Sequence, residues 1–224
     1  MTQKILYVFA HPDDETFTCG GTIAHNTTLG FHQILYCATQ GDRGKTGNPP
    51  VCTPEALGET RKHELTRAAQ ILGIDQIILH DFGDGTLHQQ PLERFVQDLV
   101  KYLELEQPDI IITFPPSGIS GHMDHQVISK ATLQAVEQTT FPTKLYYIVI
   151  PESIAQNLSY QIHATPDEWV SKVIDVTPYL EKIGRALQEH KTQHLSIERV
   201  FPGVKEGNFE QIRNKEYFQL VMQR

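Results

Sequence analysis

The 224-residue sequence predicts an α/β fold, a Rossmann-like three-layer sandwich around a mostly parallel sheet with the strand order 3-2-1-4-5. Apolar runs of strand length alternate with amphipathic runs of helix length, and Gly or Pro separates many of them. This alternation is typical of βαβ units, whose crossovers are right-handed. Because the length suits one domain, we expect residues 1–224 to form it, with a C-terminal extension packed on the sheet.

The predicted elements follow one another regularly as far as residue 150. The strand-like runs are residues 5–10, 33–38, 76–79, 109–114 and 145–150. The helices between them are residues 16–28, 54–72, 91–106 and 122–138, with a long loop at 39–53. Pro54 near the start of the second helix and Gly73 just past its end support its bounds. Later in the chain the pattern weakens, and we expect a short strand at 173–176, a helix at 178–190 and a strand at 217–222.

Composition excludes several function classes. The formal net charge of -8 gives no general basic field, so we expect no nucleic-acid partner. The three cysteines, Cys19, Cys37 and Cys52, form no C-x-x-C pair, which favours a reducing compartment. The first apolar run is too short for a signal peptide, and no run has the length of a membrane span. We therefore expect a cytoplasmic protein without a membrane span. A homo-oligomer is compatible with the sequence.

Two polar clusters contain the residues that could carry chemistry. Residues 11–15, His-Pro-Asp-Asp-Glu, follow the first strand, and residues 122–125, His-Met-Asp-His, follow the fourth. Strands one and four are neighbours in the predicted order, and ligands bind at the carboxyl ends of such strands. Four of these side chains are common ligands of divalent metals, namely His11, Asp14, His122 and His125. The coincidence of both clusters at one edge of the sheet predicts a metal site there.

The spacing within each cluster fits that interpretation. Asp13 and Asp14 are adjacent and project differently, so one can bind metal while the other faces a substrate. His122 and His125 are three residues apart at a helix start and share a face. Taken singly, an acidic run can merely complement a helix dipole, and a His-x-x-His pair can lie on the surface. Both explanations become weak when the two clusters occur at adjacent strand ends.

Nucleotide binding is a weaker interpretation. Gly44-Lys45-Thr46 resembles the end of a P-loop, but Thr39 stands where that motif needs a glycine. No G-x-G-x-x-G sequence follows the first strand, which argues against a Rossmann oxidoreductase.

The run Ala10-His11-Pro12-Asp13-Asp14-Glu15 resembles the signature of the PIG-L/LmbE-like de-N-acetylase superfamily. Further similar motifs occur in the same order along the chain: Gly20-Gly21, Gly41-Asp42-Arg43-Gly44, Arg61-x-x-Glu64-Leu65, Leu72-Gly73, Asp84-Gly85, His122-x-Asp124-His125 and His190-Lys191-Thr192-Gln193. The sequence departs from the family pattern at Met123, where Pro is common, and at residues 42–45, which lack the usual acidic ending. The second departure affects a loop expected to face the substrate.

The resemblance implies a zinc ion held by His11, Asp14 and His125. It also implies Asp13 as the general base and His122 as a second catalytic group that stabilises the oxyanion. Two histidines and one carboxylate leave coordination positions open, as catalytic sites require. Asp124 could orient His122 and keep it charged. The same ligands also suit Fe²⁺, so zinc rests on the resemblance.

The resemblance further implies hydrolysis of the N-acetyl group of an N-acetylglucosamine derivative, a small-molecule sugar conjugate. Arg61 and Asp84 are expected to bind the sugar or a group beyond it, and His190 to line the same pocket. An exposed helix pair is the alternative for Arg61 and Glu64. Two other functions stay open at this point, a metal-dependent amidohydrolase acting on a non-sugar N-acyl substrate and a non-catalytic binding module of the same fold.

Overall fold

The computed structural model describes residues 2–224, which contain a seven-stranded sheet. Its strands are β1 (Lys4–Phe9), β2 (His32–Cys37), β3 (Gln76–Leu79), β4 (Ile110–Thr113), β5 (Lys144–Val149), β6 (Lys172–Asp175) and β7 (Lys215–Gln223). They lie in the order β3-β2-β1-β4-β5-β7-β6, and the first five pair in parallel. The predicted order 3-2-1-4-5 is therefore confirmed.

The two remaining strands run antiparallel to their neighbours. β7 pairs with β5 and separates it from β6, so the late strand lies inside the sheet rather than at its edge. Its direction is opposite to that of β5, and Tyr217 near its start pairs with Val149 at the end of β5. The first residues of β7 therefore lie at the edge of the sheet where the parallel strands end.

The helices match the predicted ones with small shifts at their ends. They are α1 (Asp14–Thr28), α2 (Leu57–Leu72), α3 (Leu92–Glu106), α4 (Met123–Gln138), α5 (Glu152–Ala155), α6 (Leu180–Glu189) and α7 (His194–Val200). The short α5 and α7 were not expected from the sequence. α1, α2 and α6 pack together, whereas α3 packs with α4, which gives the two helical layers of the sandwich. None of the helices described between residues 2 and 224 has the length and apolar character needed to cross a membrane.

The central strands are buried on both faces, as parallel strands between two helical layers must be. All residues from Ile5 to Ala10 have an exposed fraction of 1% or less. A second apolar cluster joins the C-terminal part to α1, and its buried members are Val176, Ile183, Leu187, Ile197, Phe201, Val204 and Ile212. Phe17 of α1 packs against this cluster. The C-terminal extension thus packs beside the helix that begins at the His-Pro-Asp-Asp-Glu run.

A buried carboxylate of β7 strengthens this attachment. The backbone of α1 is non-helical at Cys19, which frees amide groups from the regular hydrogen-bond pattern. Glu216 accepts hydrogen bonds from the backbone N–H groups of Gly21 at 2.9 Å and Thr22 at 2.8 Å. The backbone N–H groups freed near this kink are therefore bonded by a side chain almost two hundred residues later in the chain.

Candidate active site

Three of the expected ligands converge at the carboxyl ends of β1 and β4. His11 Nδ1 lies 3.2 Å from His125 Nε2, and the Asp14 carboxylate lies 3.2 Å from His125 Nε2 and 3.5 Å from His11 Nδ1. Tetrahedral bonds of about 2.0–2.1 Å to a zinc ion would place ligand atoms about 3.3 Å apart. The three side chains are almost completely buried. Their spacing fits a single ion held by all three.

Hydrogen bonds from the far side of each ring orient the two histidines. His125 Nδ1 lies 3.0 Å from the carbonyl oxygen of Gly118, so this nitrogen donates and Nε2 is left to face the other two groups. Phe114 stacks on the His125 ring with 4.0 Å between ring centroids. His11 Nε2 lies 3.1 Å from an Asp84 oxygen and 3.3 Å from an Asp124 oxygen, which leaves Nδ1 to face the other two ligands. Carboxylate partners of this kind commonly hold metal-binding histidines.

Electrostatics around these groups favours an ionised carboxylate. Burial opposes the charged form of Asp14, but the neighbouring His125 and His11 outweigh it and hold the pKa of Asp14 well below its usual range. Burial also lowers the pKa of His11, yet hydrogen bonds to Asp124, Asp14 and Asp84 raise it well above the ordinary value. A metal ion would displace the proton from such a ring, because a ligand nitrogen must be neutral.

Other groupings of potential ligands lie in the same place. One ligand atom each of His11, His122 and His125 lies within 4.8 Å of the others, and so do atoms of His11, Asp84 and Asp124. The carboxylates of the second group already accept backbone hydrogen bonds, Asp84 from Arg43 at 2.9 Å and Asp124 from Gly85 at 2.6 Å. These bonds suit residues that support His11 better than residues that bind an ion directly.

Asp13 adopts an unusual backbone conformation between Pro12 and the start of α1. Its φ of 110° lies in a region that costs a non-glycine residue conformational energy and occurs mostly where surrounding contacts enforce it. Burial raises the pKa of Asp13 to about 6, although Arg61 lowers it and Asp14 raises it further. The result is a carboxylate beside the three candidate ligands with a pKa close to neutrality.

Arg61 is one of the contacts that hold Asp13. Its guanidinium lies 3.1 Å from an Asp13 carboxylate oxygen and donates hydrogen bonds to the carbonyl oxygens of Pro12 and Gly41. The side chain is buried with 4% of its surface exposed, although it also contributes to the wall of the cavity described below. The alternative of an exposed helix pair with Glu64 is thereby excluded, since Glu64 is also buried.

His122 lies on the open side of the site. It caps the start of α4, because its Nδ1 accepts a hydrogen bond of 3.2 Å from the backbone N–H of Asp124. Partial burial, then the neighbouring His11 and His125, lower the pKa of His122 below its ordinary value. The expected contact of the Asp124 carboxylate with His122 does not occur. That carboxylate accepts from His11 instead, because its position is set by the backbone amides of Gly85 and Leu87.

His190 also differs from its expected place. Its ring is fully buried and does not line the cavity; Nε2 lies 3.2 Å from a Glu15 oxygen and 3.3 Å from the Thr16 hydroxyl. The other Glu15 oxygen accepts a hydrogen bond of 3.1 Å from the backbone N–H of Asp13. Glu15 therefore links His190 to the strained residue beside the ligands. Sequence reasoning missed this role, although Glu15 belongs to the conspicuous run at residues 11–15.

The residues after His190 attach the C-terminal part to the site. Glu64 of α2 accepts hydrogen bonds from both the backbone N–H and the hydroxyl of Thr192, at 2.9 and 2.7 Å. Gln193 donates to the carbonyl oxygen of Lys45, at 3.0 Å, and so holds the loop that follows β2. The motif therefore packs the C-terminal part against α2 and the loop after β2, and Gln193 also lines the cavity described below.

A cavity of about 720 Å³ opens above the candidate ligands. That volume lies in the usual range of small-molecule sites. Asp13, Arg61, Asp84 and His122 contribute to its wall. Sequence reasoning missed much of the wall, which comes mostly from the C-terminal third of the chain. The missed polar residues from that third are Tyr160, Gln161, Ser196, Arg199, Arg213, Lys215 and Tyr217.

Comparisons with known proteins identify the family to which this chain belongs. The PIG-L family model, described as GlcNAc-PI de-N-acetylase, matches residues 6–136, more than half of the chain. A probable N-acetyl-alpha-D-glucosaminyl L-malate deacetylase 2 of Bacillus anthracis is 33% identical, over 85% of this chain and 81% of that protein. A 1D-myo-inositol 2-acetamido-2-deoxy-alpha-D-glucopyranoside deacetylase of Thermobifida fusca is 28% identical, over 98% of this chain and 93% of that protein.

A solved structure supports the fold. The N,N'-diacetylchitobiose deacetylase from Pyrococcus horikoshii superposes with a TM-score of 0.76, covering 98% of this chain and 84% of that one. At 21% sequence identity this likeness shows the fold alone.

Proposed function

We propose that this chain, which belongs to the PIG-L family of GlcNAc-PI de-N-acetylases, hydrolyses the N-acetyl group of an N-acetylglucosamine derivative at a zinc site. The observation that carries the proposal is the convergence of His11, Asp14 and His125 beside a carboxylate with a pKa near 6. The named relatives act on N-acetylglucosamine conjugates with different second halves, inositol in one and malate in the other. We therefore propose the sugar-linked amide as the shared reacting group.

The metal would be held by His11 Nδ1, an Asp14 oxygen and His125 Nε2. A zinc ion there supplies a Lewis acid, which acidifies water and polarises an amide carbonyl. Fe²⁺ suits the same nitrogen and oxygen donors, so the identity of the metal is a question for metal analysis. Asp84 and Asp124 would act through His11, by accepting from its second nitrogen and keeping Nδ1 aimed at the ion.

Asp13 would be the general base. A base works best when its pKa is close to the working pH, and burial brings the pKa of Asp13 to about 6. Its carboxylate would take a proton from the attacking water while Arg61 holds the carboxylate in place. Arg61 is thus proposed as a positioning residue, and its expected contact with a sugar oxygen stays a prediction, as does that of Asp84.

His122 would act on the opposite side of the amide. Its ring lies 4.7 Å from the His11 ring between centroids and lines the cavity, close enough to reach a carbonyl bound at the same place. There its free nitrogen would donate a hydrogen bond to the carbonyl oxygen as that oxygen becomes negatively charged. The products are acetate and the free amine, and the amine takes the proton that Asp13 or His122 carries.

The test combines metal analysis of the purified protein with acetate release from a panel of substrates. The panel contains N-acetylglucosaminides with several second halves and, as the rival class, N-acetylated amino acids and amines without a sugar. We expect zinc near one equivalent and acetate only from the sugars. Release of acetate only from the non-sugar amides would show that the chain is an amidohydrolase for non-sugar N-acyl substrates. No acetate release by the zinc-loaded protein would favour a non-catalytic binding module.

A cytoplasmic location stays a prediction. It is supported by the three free cysteines, two of which, Cys19 and Cys37, are completely buried.

A further inference from the structure

The outer part of the cavity is basic although the chain as a whole is acidic. Arg199, Arg213 and Lys215 line the cavity, and we call them the cationic wall. The chain carries a formal net charge of -8, so the overall composition does not explain why three basic side chains lie together in this wall. Among residues 2–224, no carboxylate oxygen lies within 4.0 Å of a side-chain nitrogen of any of the three. Other basic side chains do have such a partner, for example Lys62, Arg67 and Arg185.

Separate elements bring the cationic wall together. Arg199 lies on α7, on the face that also presents Ser196 and Val200 to the cavity. Lys215 is the first residue of β7, whose antiparallel direction places its start beside the end of β5. Arg213 precedes that strand by two residues. Two segments that follow residues 11–125 in sequence, α7 and the start of β7, therefore meet at the outer part of the cavity.

Arg213 is held in place without being neutralised. It donates hydrogen bonds to the carbonyl oxygen of Phe17 at 2.8 Å and to the Tyr160 hydroxyl at 3.2 Å, and it lies over the Phe201 ring. A guanidinium has five N–H donors, so these two bonds leave donors for a ligand. Phe17 is three residues after Asp14 in α1, which places the guanidinium about one helical turn from the metal site.

Two neighbouring carboxylates accept their hydrogen bonds from backbone groups and not from the cationic wall. Glu216 follows Lys215 but points to the opposite face of β7, where it accepts from Gly21 and Thr22. Asp175 pairs with Lys215 across the sheet in backbone register, but its carboxylate accepts from the backbone N–H of Thr177 at 2.9 Å. Burial raises the pKa of Glu216, although Arg213 helps to lower it, and Thr177 and then Lys215 lower the pKa of Asp175, but neither carboxylate forms an ion pair with the wall. The three cations therefore keep donors that face the cavity.

We infer that the cationic wall binds an anionic group, a carboxylate or a phosphate, attached to the N-acetylglucosamine unit. Like charges gathered in a concave surface repel one another, and an anion relieves that repulsion. The planar fork of arginine matches the paired oxygens of both anions. The inference rests on the proposed function, because the sugar amide must reach the metal site while the second half of the substrate reaches the wall.

The first experiment measures binding rather than turnover. Zinc-loaded Asp13→Asn protein is titrated by calorimetry with N-acetylglucosaminides whose second half is methyl, an uncharged cyclitol, a dicarboxylic acid or a phosphate. We expect each anionic glycoside to bind at least about tenfold more tightly than the uncharged ones, the effect of one charge-assisted hydrogen bond. The dicarboxylate and phosphate arms show which of the two anions the wall prefers.

Variants then assign the preference to the wall. Arg199→Gln and Lys215→Gln, singly and together in the Asp13→Asn background, should reduce the ratio of anionic to uncharged affinity, and the double variant should bring it close to one. Both side chains are exposed, so the substitutions leave the buried core unchanged. Arg185→Gln is the matched control, since it removes the same charge from α6 outside the cavity and should keep the wild-type ratio.

The outcomes separate the two proposals. Equal affinity for anionic and uncharged glycosides would overturn the cationic wall as a subsite, and so would an equal change of the ratio in Arg185→Gln. Selective binding of anionic glycosides that are never hydrolysed by the wild-type enzyme would support the wall and overturn the deacetylase proposal.

Discussion

The inner and outer parts of the cavity are built in opposite ways. Every expected ligand and catalytic side chain of the inner part comes from the segment matched by the family model, residues 6–136, and most have protein partners that fix their geometry. The cationic wall comes from residues 199–215, and two of its three side chains are exposed. On the proposed function, the hydrogen-bonded inner network would carry out the reaction, and the cations without carboxylate partners would be available to select the substrate.

The largest expected effect is loss of the metal. His11→Ala or His125→Ala removes one of the three proposed ligands, so we expect most bound zinc and nearly all activity to disappear. The loss of activity should be the same for anionic and uncharged glycosides. Metal content by elemental analysis and acetate release check this. His63→Ala is a control at an exposed histidine on α2. Stoichiometric zinc in both ligand variants would contradict the assignment.

The second effect concerns the base and not the metal. Asp13→Asn keeps the size of the side chain but cannot accept the proton, so kcat should fall by roughly 10²–10⁴-fold while zinc is retained. The factor should be the same for anionic and uncharged glycosides, because Asp13 belongs to the inner part. Asp81→Asn, an exposed aspartate, is the matched control. A kcat near that of the wild type in zinc-loaded Asp13→Asn would show that another group is the general base.

The smallest effect tests whether the division between inner and outer parts follows function or position in the chain. His190 is C-terminal, yet through Glu15 it supports the backbone of Asp13. His190→Leu should lower kcat by roughly 10–100-fold, the usual cost of losing a supporting hydrogen bond. KM and zinc content should stay near the wild-type values, and His190→Gln should recover part of the loss. An unchanged kcat in His190→Leu would limit Glu15 and His190 to a structural role.

The same pair makes stability depend on pH. Burial lowers the pKa of His190, but its hydrogen bond to Glu15 outweighs this and raises the pKa above the ordinary value. A raised histidine pKa means that the folded state binds the proton more tightly, so this stabilisation is present below about pH 6.5 and is lost as the pH rises through the folded-state pKa. The difference in unfolding free energy between wild type and His190→Leu should therefore narrow from pH 6 to pH 9 in urea titrations. A constant difference would show that the charge of His190 contributes nothing.

Much of the inner part could be predicted from the sequence because its signals are local. The strand runs, the strand order and the polar runs at 11–15 and 122–125 lie within a few residues of the elements that position them. The contact of Asp124 with His11 was not predicted, because it depends on backbone amides of Gly85 and Leu87 in a different loop. The buried place of His190 depends in the same way on how α6 packs against α1.

The outer part could not be predicted because its determinants are remote from one another. A periodic pattern identifies the strand near residues 217–222 but not its neighbour, and pairing with β5 rather than at the sheet edge depends on contacts across the whole chain. Arg199, Arg213 and Lys215 belong to no recognisable motif, since an unpaired charge is visible only when its surroundings are known.

The position of β7 has a consequence for synthesis on the ribosome. Within residues 2–224, β6 pairs with β7 alone, and β7 is the second neighbour of β5. Neither strand can therefore complete its hydrogen bonds until residues 215–223 have emerged. A nascent chain that already contains all three proposed metal ligands still has an open strand edge, and such edges invite pairing with other chains. The strand that carries Lys215 to the cavity is therefore also the strand whose arrival closes that open edge.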